Sequence, residues 1–195
     1  TTGSMERDVM QQGSRLHRKL QKRMGSGYHA EVPLKAPCAC DGFVLQVEGR
    51  ADGIFTEESQ VVIDEIKGVM RSLEQIQKPV PVHLAQAKCY AYIYGSQNAL
   101  ESIGVQMTYC NLETEEIKRF QEQCDLKDLE KWFQALVRAY EKWAKFQIEW
   151  KKVRDKSIRR TEFPFSYRSG QRELVASVYR TILRKKKLFI QAPTG

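Results

Sequence analysis

Three side chains that can support phosphodiester chemistry lie on two predicted strands. Asp52 belongs to one strand-like segment, and Glu65 and Lys67 follow on the next, thirteen and fifteen residues later. Because side chains alternate along a strand, Glu65 and Lys67 face the same side. If the strands pair, the two carboxylates meet and can hold Mg²⁺ or Mn²⁺. Such an ion polarises a scissile phosphate and lowers the pKa of an attacking water, while Lys67 orients that water or stabilises the developing charge.

The same spacing has a plainer interpretation. Acidic–x–Lys is a short pattern, and a surface ion pair between Lys67 and a carboxylate on a neighbouring strand also explains it. Asp64 adds an ambiguity because it precedes Glu65 directly. Strand alternation turns Asp64 to the opposite side, and only Glu65 has the x-Lys spacing. His29 and His83 are further histidines available to a site, and His83 lies one helical turn before Gln86.

Flanking residues extend the pattern beyond a single motif. Gly-x-x-x-His lies on the first predicted helix, Gly-x-x-Asp precedes the acidic–x–Lys pattern, and Gln-x-x-x-Tyr lies on the helix after it. Four motifs in this order closely resemble the RecB-like branch of the PD-(D/E)XK nucleases, over about residues 13–112. The residues that carry the resemblance are Gly13, His17, Gly49, Asp52, Glu65, Lys67, Gln86 and Tyr90.

The resemblance implies a metal site and a catalytic lysine. Asp52 and Glu65 match the metal-binding carboxylates, and the carbonyl of Ile66 is expected to add a ligand. His17 matches the helical histidine that joins the metal site in this branch. Lys67 matches the catalytic lysine. The expected cofactor is therefore Mg²⁺ or Mn²⁺.

Supporting roles follow from the same resemblance. Gln86 and Tyr90 match the pair that contacts DNA or braces the site, and Glu31 matches a glutamate on the first strand that we expect to support rather than catalyse. Some relatives hold an iron–sulfur cluster with one early and three clustered late cysteines. Because this sequence lacks that late cluster, we expect no iron–sulfur cluster.

Hydrophobic periodicity predicts the elements that position these residues. The expected fold is α/β: a restriction-endonuclease-like mixed central sheet flanked by helices, with a long C-terminal helical extension. Predicted strands cover residues 28–34, 42–47, 49–55, 60–66, 103–112 and 188–190. Predicted helices cover residues 5–24, 82–94, 113–124, 128–159 and 171–184.

Charge and composition restrict the class of protein. The chain has 195 residues and a net charge of +8. Residues 142–187 hold 15 Lys and Arg against 4 Asp and Glu, so the rest of the chain carries −3. Such a basic block attracts polyanions or forms a solvated helix face. No apolar run reaches the roughly 20 residues that span a bilayer, and the five cysteines form no C-x-x-C pair. We therefore expect free thiols, a cytoplasmic location and no membrane partner.

The end of the chain carries a second resemblance. Phe163-Pro164-Phe165 with Arg168-x-Gly170-Gln171, followed by Ala192-Pro193-Thr194-Gly195, resembles the opening of DinG-like superfamily 2 helicases. The phosphate-binding loop of such helicases needs a Gly-Lys-Thr/Ser that does not occur here. We therefore expect a nuclease domain over residues 1–160, the start of a helicase domain over 161–195, and no ATP bound by this fragment of a longer polypeptide.

Together these patterns predict a metal-dependent DNA nuclease, more exonuclease than endonuclease by family analogy, acting in DNA repair or recombination with DNA and the helicase domain as partners. The alternative is a catalytically inactive nuclease fold that binds DNA for the adjoining helicase. The complete set of Asp52, Glu65 and Lys67 favours the enzyme, because loss of function usually removes one member of such a set.

Overall fold

A computed structural model describes residues 13, 15–162 and 164–191 of the chain. The strands are β1 (His29–Cys40), β2 (Phe43–Glu57), β3 (Gln60–Val69), β4 (Ser102–Asn111) and β5 (Ile117–Asp125). The helices are α1 (residues 15–23), α2 (Pro81–Gln97), α3 (Leu126–Ile158) and α4 (Gln171–Leu183), with a short 3-10 helix at Leu73–Gln75.

One mixed sheet contains all five of these strands in the order β1-β2-β3-β4-β5. Neighbouring strands are antiparallel, except that β3 and β4 are parallel and α2 connects them. A parallel pair needs such a crossover because a short turn cannot return the chain to the same end of the sheet. The predicted α/β fold, with a mixed sheet and a long C-terminal helix, is confirmed.

Strands β2 and β3 form a hairpin that opens at its far end. Glu58 and Ser59 connect them with φ values of 48° and 67°, as a two-residue turn with positive φ at both positions requires. Pairing then runs from Glu57 and Gln60 to Gly53 and Asp64, where it stops. We call the gap beyond this last pair, between Asp52 on β2 and residues 65–67 on β3, the fork.

Helices cover both faces of the sheet. On one face, Leu16 and Leu20 of α1 pack against Ile66 and Cys110. On the other face, α2 and the first turns of α3 pack against the larger apolar cluster. Because β3 is covered on both sides, its side chains alternate between two buried environments. Buried members of the larger cluster include Ile63, Ala87, Ala91, Met107, Tyr109 and Phe133.

Two predictions about the strands of the sheet are wrong. Residues 113–124 were expected to be helical, but residues 117–125 form the edge strand β5. The segment is rich in Glu, Lys and Gln, which favour helices, yet its register against the buried strand β4 decides its structure. The strands predicted at 42–47 and 49–55 form one continuous strand, β2, which passes through Gly49 without a break.

The chain divides into two compact units, Thr1–Phe146 and Gln147–Gly195. The second contains α4, as predicted, but residues 188–190 are not a strand. In the described part of that unit no other strand is present to pair with them, and an unpaired strand leaves its backbone groups unsatisfied. The predicted helix before residue 13 and the Ala192–Gly195 motif lie outside the described residues. Within the described ranges, no helix combines the length and apolar character that crossing a membrane requires.

A buried carboxylate network lies on the α1 side of β3. Asp64 is 1% exposed and accepts hydrogen bonds from Tyr28 Oη (2.9 Å), Gln106 Nε2 (3.1 Å) and Thr108 Oγ1 (2.6 Å). Burial raises the pKa of Asp64, and these three donors oppose the shift. Tyr28 reaches Asp64 across Gly53, where an added Cβ would lie 1.8 Å from Tyr28 Cζ. Gly53 is therefore required by the approach of a neighbouring ring.

Gly53→Ala should destabilise the protein by about 1–3 kcal/mol, because the new methyl group displaces Tyr28 and removes a donor from the buried Asp64. Urea unfolding followed by circular dichroism measures the change. Gly27→Ala is the matched control, since an added Cβ at Gly27 meets nothing within 4 Å. Equal stabilities of the two variants would contradict the role assigned to Gly53.

Candidate active site

Asp52 occupies the mouth of the fork. Beyond Gly53 the β2–β3 ladder has ended, and the Ile66 N–H donates to Asp52 Oδ2 at 2.7 Å. The second carboxylate oxygen lies 3.5 Å from His17 Nδ1 on α1. The structure thus brings Asp52 into contact with His17 and with the backbone N–H of Ile66. The carbonyl of Ile66 as a metal ligand stays a prediction.

The backbone of β1 is distorted opposite Asp52. Glu31 has a φ of 58°, and neither Glu31 nor Asp52 takes part in a ladder pair. The Gln21 side-chain amide donates to the Asp52 carbonyl (2.9 Å) and to Glu31 Oε1 (3.1 Å). Arg50 Nη1 lies 3.3 Å from Glu31 Oε2. Glu31 therefore contacts Arg50 and Gln21, and Gln21 also donates to the Asp52 carbonyl. The supporting role expected of Glu31 stays a prediction.

Gln21 is a site residue that the sequence interpretation missed. It follows His17 by four residues, so both side chains share one face of α1. That spacing was available in the sequence, but glutamine has no charge or metal affinity to mark it. The structure shows that α1 contacts the fork through both residues.

Glu65 is buried beside Asp52 with one oxygen unsatisfied. Its side chain is 2% exposed, and Lys67 Nζ donates to Oε1 at 2.6 Å. The other oxygen, Oε2, is buried without a hydrogen-bond partner. Burial and the nearby Asp52 charge raise the pKa of Glu65 to about 7, although Lys67 and His17 oppose the shift. The charged form of Glu65 is therefore disfavoured in the fork, chiefly because burial removes its hydration.

A hydrogen-bonded chain connects Lys67 to the motif on α2. Lys67 Nζ donates to Gln86 Oε1 at 3.1 Å, and Gln86 Nε2 donates to Tyr90 Oη at 3.2 Å. Tyr90 in turn lies over Gly49, where an added Cβ would lie 2.4 Å from the Tyr90 hydroxyl. The glycine of Gly-x-x-Asp thus makes room for the tyrosine of Gln-x-x-x-Tyr. Gln86 and Tyr90 hold Lys67 in place.

The other two histidines lie outside this set of contacts. His83 Nδ1 is 3.3 Å from the Tyr109 hydroxyl, which also accepts the Val80 N–H at 2.9 Å. Burial, together with the charges of Lys67 and Arg71, lowers the pKa of His83. His29 is exposed at the start of β1.

Among residues 13, 15–162 and 164–191, no group of three or more His, Cys, Asp and Glu side chains is arranged to hold a metal ion. In the fork, Lys67 and the Ile66 N–H hold one oxygen each of Glu65 and Asp52. The unpartnered Glu65 Oε2 and the raised pKa of this carboxyl nevertheless fit a cation, because added positive charge would relieve both.

Comparison with known proteins gives a structural likeness but no sequence family. No family model matches the chain, and no curated protein matches it. Among solved structures, the chain is similar to the crystal structure of SSO0001, with 19% sequence identity and a TM-score of 0.47. The likeness covers 65% of this chain and 58% of that one, so the chain spans less than two thirds of that protein.

The stability of the metal-free protein should fall as pH rises through the range set by Glu65. The folded pKa of about 7 lies above the ordinary value of 4.5, so the folded state binds more protons than the unfolded state between these values. The free energy of unfolding therefore decreases from about pH 4.5 to about pH 7, by on the order of 1–3 kcal/mol. Glu65→Gln, which cannot ionise, should lose this component.

Urea unfolding in EDTA at pH 5 and pH 7.5 tests the expectation. The stability of Glu65→Gln relative to wild type should increase between the two pH values. Glu122→Gln removes an exposed carboxyl on β5 and serves as the control for loss of one acid. A constant difference between wild type and Glu65→Gln would show that Glu65 ionises normally in the folded protein.

Proposed function

We propose that the fork is the active site of a metal-dependent deoxyribonuclease resembling the RecB-like PD-(D/E)XK enzymes. The observation that supports this most directly is Glu65, a buried carboxylate whose second oxygen has no partner and whose neighbour is a second carboxylate. A buried charge without compensation is costly. Two carboxylates and a lysine arranged in this way suit a site completed by a divalent cation.

Asp52, Glu65 and the Ile66 carbonyl are the proposed ligands, with His17 beside Asp52. Oxygen donors of this kind match Mg²⁺ and Mn²⁺. Bound there, the ion would supply Lewis-acid activation of the scissile phosphate and of the attacking water. The residues themselves position it: the Ile66 N–H fixes the Asp52 carboxylate, and α1 brings His17 to within 3.5 Å of it.

Lys67 is the proposed catalytic residue. An ammonium group has three N–H donors, and two of them are engaged by Glu65 and Gln86. The Lys67 side chain is 24% exposed, so its third donor is open to a water or phosphate oxygen at the fork. Because Gln86 is itself held by Tyr90, the ammonium group is oriented before substrate binds, which favours stabilisation of charge that develops in the transition state.

DNA is the proposed substrate, with exonucleolytic cleavage and a role in repair or recombination following from the family resemblance. The helicase domain of a longer polypeptide is the proposed partner, and the cytoplasm the proposed location. An inactive DNA-binding module is the less favoured alternative. Loss of catalysis would remove the need for a buried carboxylate with an unsatisfied oxygen, yet Glu65 is present with Lys67 beside it.

Lys67→Ala and Asp52→Asn should each reduce DNA cleavage by about 1000-fold, since each removes charge that acts on the reacting phosphate. Asparagine keeps an oxygen that can accept the Ile66 N–H, so the Asp52 variant should fold normally. End-labelled single-stranded and duplex DNA, incubated with Mg²⁺ or Mn²⁺, measure the rate.

Lys88→Ala is the matched control for this experiment. Lys88 also lies in the first unit and pairs with a glutamate, Glu122 at 2.8 Å, on β5 rather than in the fork. Its loss should leave cleavage within about twofold of wild type, because exposed ion pairs contribute little. Cleavage by Lys67→Ala at the wild-type rate would exclude the proposed active site.

Crystals soaked in Mn²⁺ should show anomalous density at the fork, bound by Asp52, Glu65 and the Ile66 carbonyl. His17 should coordinate the ion or contact it through one water. An ion more than about 8 Å from the His17 ring would be beyond reach through a bridging water and would remove His17 from the metal site. Glu65→Gln crystals, soaked identically, should lose the density because a neutral amide binds the ion more weakly.

A further inference from the structure

Helix α1 carries an uninterrupted cationic surface. Within residues 15–23, five side chains are basic, none is acidic, and all five basic side chains are exposed. These are Arg15, Arg18, Lys19, Lys22 and Arg23. Net charge in the rest of the chain is concentrated after residue 141, so this helix is a separate positive region.

The helix separates its residue types by face. Leu16 and Leu20 are buried against the sheet, and His17 and Gln21 reach the Asp52 region. Each helical residue turns the side-chain direction by about 100°. Arg18 follows His17, and Lys22 follows Gln21, so the cationic face begins beside the residues that contact the fork.

The cations of α1 are neutralised only in part. Glu115, on the loop after β4, bonds Lys19 Nζ and lies 3.9 Å from Arg23 Nη2. Within the part of the chain that the structure describes, Arg15 and Lys22 have no acidic partner, so their two positive charges are left without a counter-charge there. Like charges three and four residues apart destabilise a helix by roughly 0.2–0.5 kcal/mol per pair. A bound polyanion would turn this repulsion into attraction.

We propose that the face formed by Arg15 and Lys22 binds the phosphate backbone of the DNA strand that is cleaved at the fork. The inference rests on the proposed function and identifies how the strand is held. Residues 15 to 22 span about 10 Å of helix, the axial length of roughly three successive phosphates of one strand in a duplex. Contacts of this kind position the strand without reading its sequence.

A membrane surface fits α1 less well than DNA. Helices that lie on lipid bury an apolar face in the acyl region, but the apolar residues Leu16 and Leu20 are already packed against Ile66 and Cys110. The exposed part of α1 offers charge without apolar area. A phosphodiester backbone needs only the charge.

Arg15→Gln combined with Lys22→Gln tests the proposal. Glutamine keeps helix propensity close to that of Arg and Lys, and circular dichroism checks the fold. Fluorescence anisotropy in EDTA, which prevents metal-dependent cleavage, gives Kd for a labelled single strand and for a duplex across a salt series. The double variant should weaken binding about tenfold and reduce the salt slope by about 2, one for each lost phosphate contact.

Lys131→Gln combined with Arg138→Gln is the matched control. It also removes one lysine and one arginine seven residues apart on an exposed helix face, here on α3. Arg138 lies away from Glu31, because it lines a cavity with Cys38. Cys38 is seven residues along β1 from Glu31, which corresponds to about 23 Å in an extended strand. The Kd and the salt slope of this control double variant should equal those of wild type.

Cleavage kinetics with Mg²⁺ separate this proposal from the proposed function. The α1 variant should lose kcat/KM by about tenfold and keep kcat at saturating DNA within about twofold, because the groups in the fork are intact.

Cleavage by wild type together with unchanged Kd and salt slope in the α1 variant would overturn the α1 proposal alone. Absence of both DNA binding and cleavage in wild type would overturn both proposals. Loss of binding to phosphatidylserine vesicles with unchanged DNA binding would assign α1 to a membrane instead and overturn the proposal.

Discussion

The Ile66 N–H is hydrogen-bonded to the Asp52 carboxylate at 2.7 Å, at the point where β2 and β3 stop pairing. A buried backbone donor must find an acceptor, and here a side chain replaces the strand that has diverged. This substitution fixes Asp52 within the fork. The same hydrogen bond explains why the sheet tolerates an opening between β2 and β3. The Asp52 carboxylate accepts from a backbone N–H that the opening leaves without a partner on the neighbouring strand.

Adjacent acids on β3 show how strand alternation assigns different roles. Asp64 faces α1 and receives three hydrogen bonds, so its charge is distributed among neutral donors. Glu65 faces the opposite side and has one partner, Lys67, on one oxygen. Burial raises the pKa of both, but only Glu65 is left with an unsatisfied oxygen. The unsatisfied oxygen distinguishes Glu65, the proposed metal ligand, from Asp64, whose hydrogen bonds connect β3 to Tyr28 and to β4.

Sequence patterns predicted the long helices and the buried strand β4 better than the edges of the sheet. Periodicity identified α2, α3 and β4 to within a few residues, because a long apolar pattern is difficult to mistake. Strand β5 was missed, since it is rich in charged and polar residues, as edge strands commonly are. Its apolar residues that pack against the two buried clusters are Ile117, Phe120 and Cys124. The distortion at Glu31 could not be predicted either, because a positive φ at a glutamate depends on its contacts with α1 and not on its own preference.

Three motifs that are distant in sequence become one connected structure through a glycine. Gly49 has no side chain, and the Tyr90 hydroxyl occupies the space that one would fill. From Tyr90 the hydrogen bonds run through Gln86 to Lys67 and on to Glu65. A side chain at Gly49 would displace Tyr90, and the displacement would pass along this chain to the ammonium group. The spacing between Gly49 and Asp52 therefore connects two requirements: the carboxylate must enter the fork, and the same strand must leave room for the residues that orient Lys67.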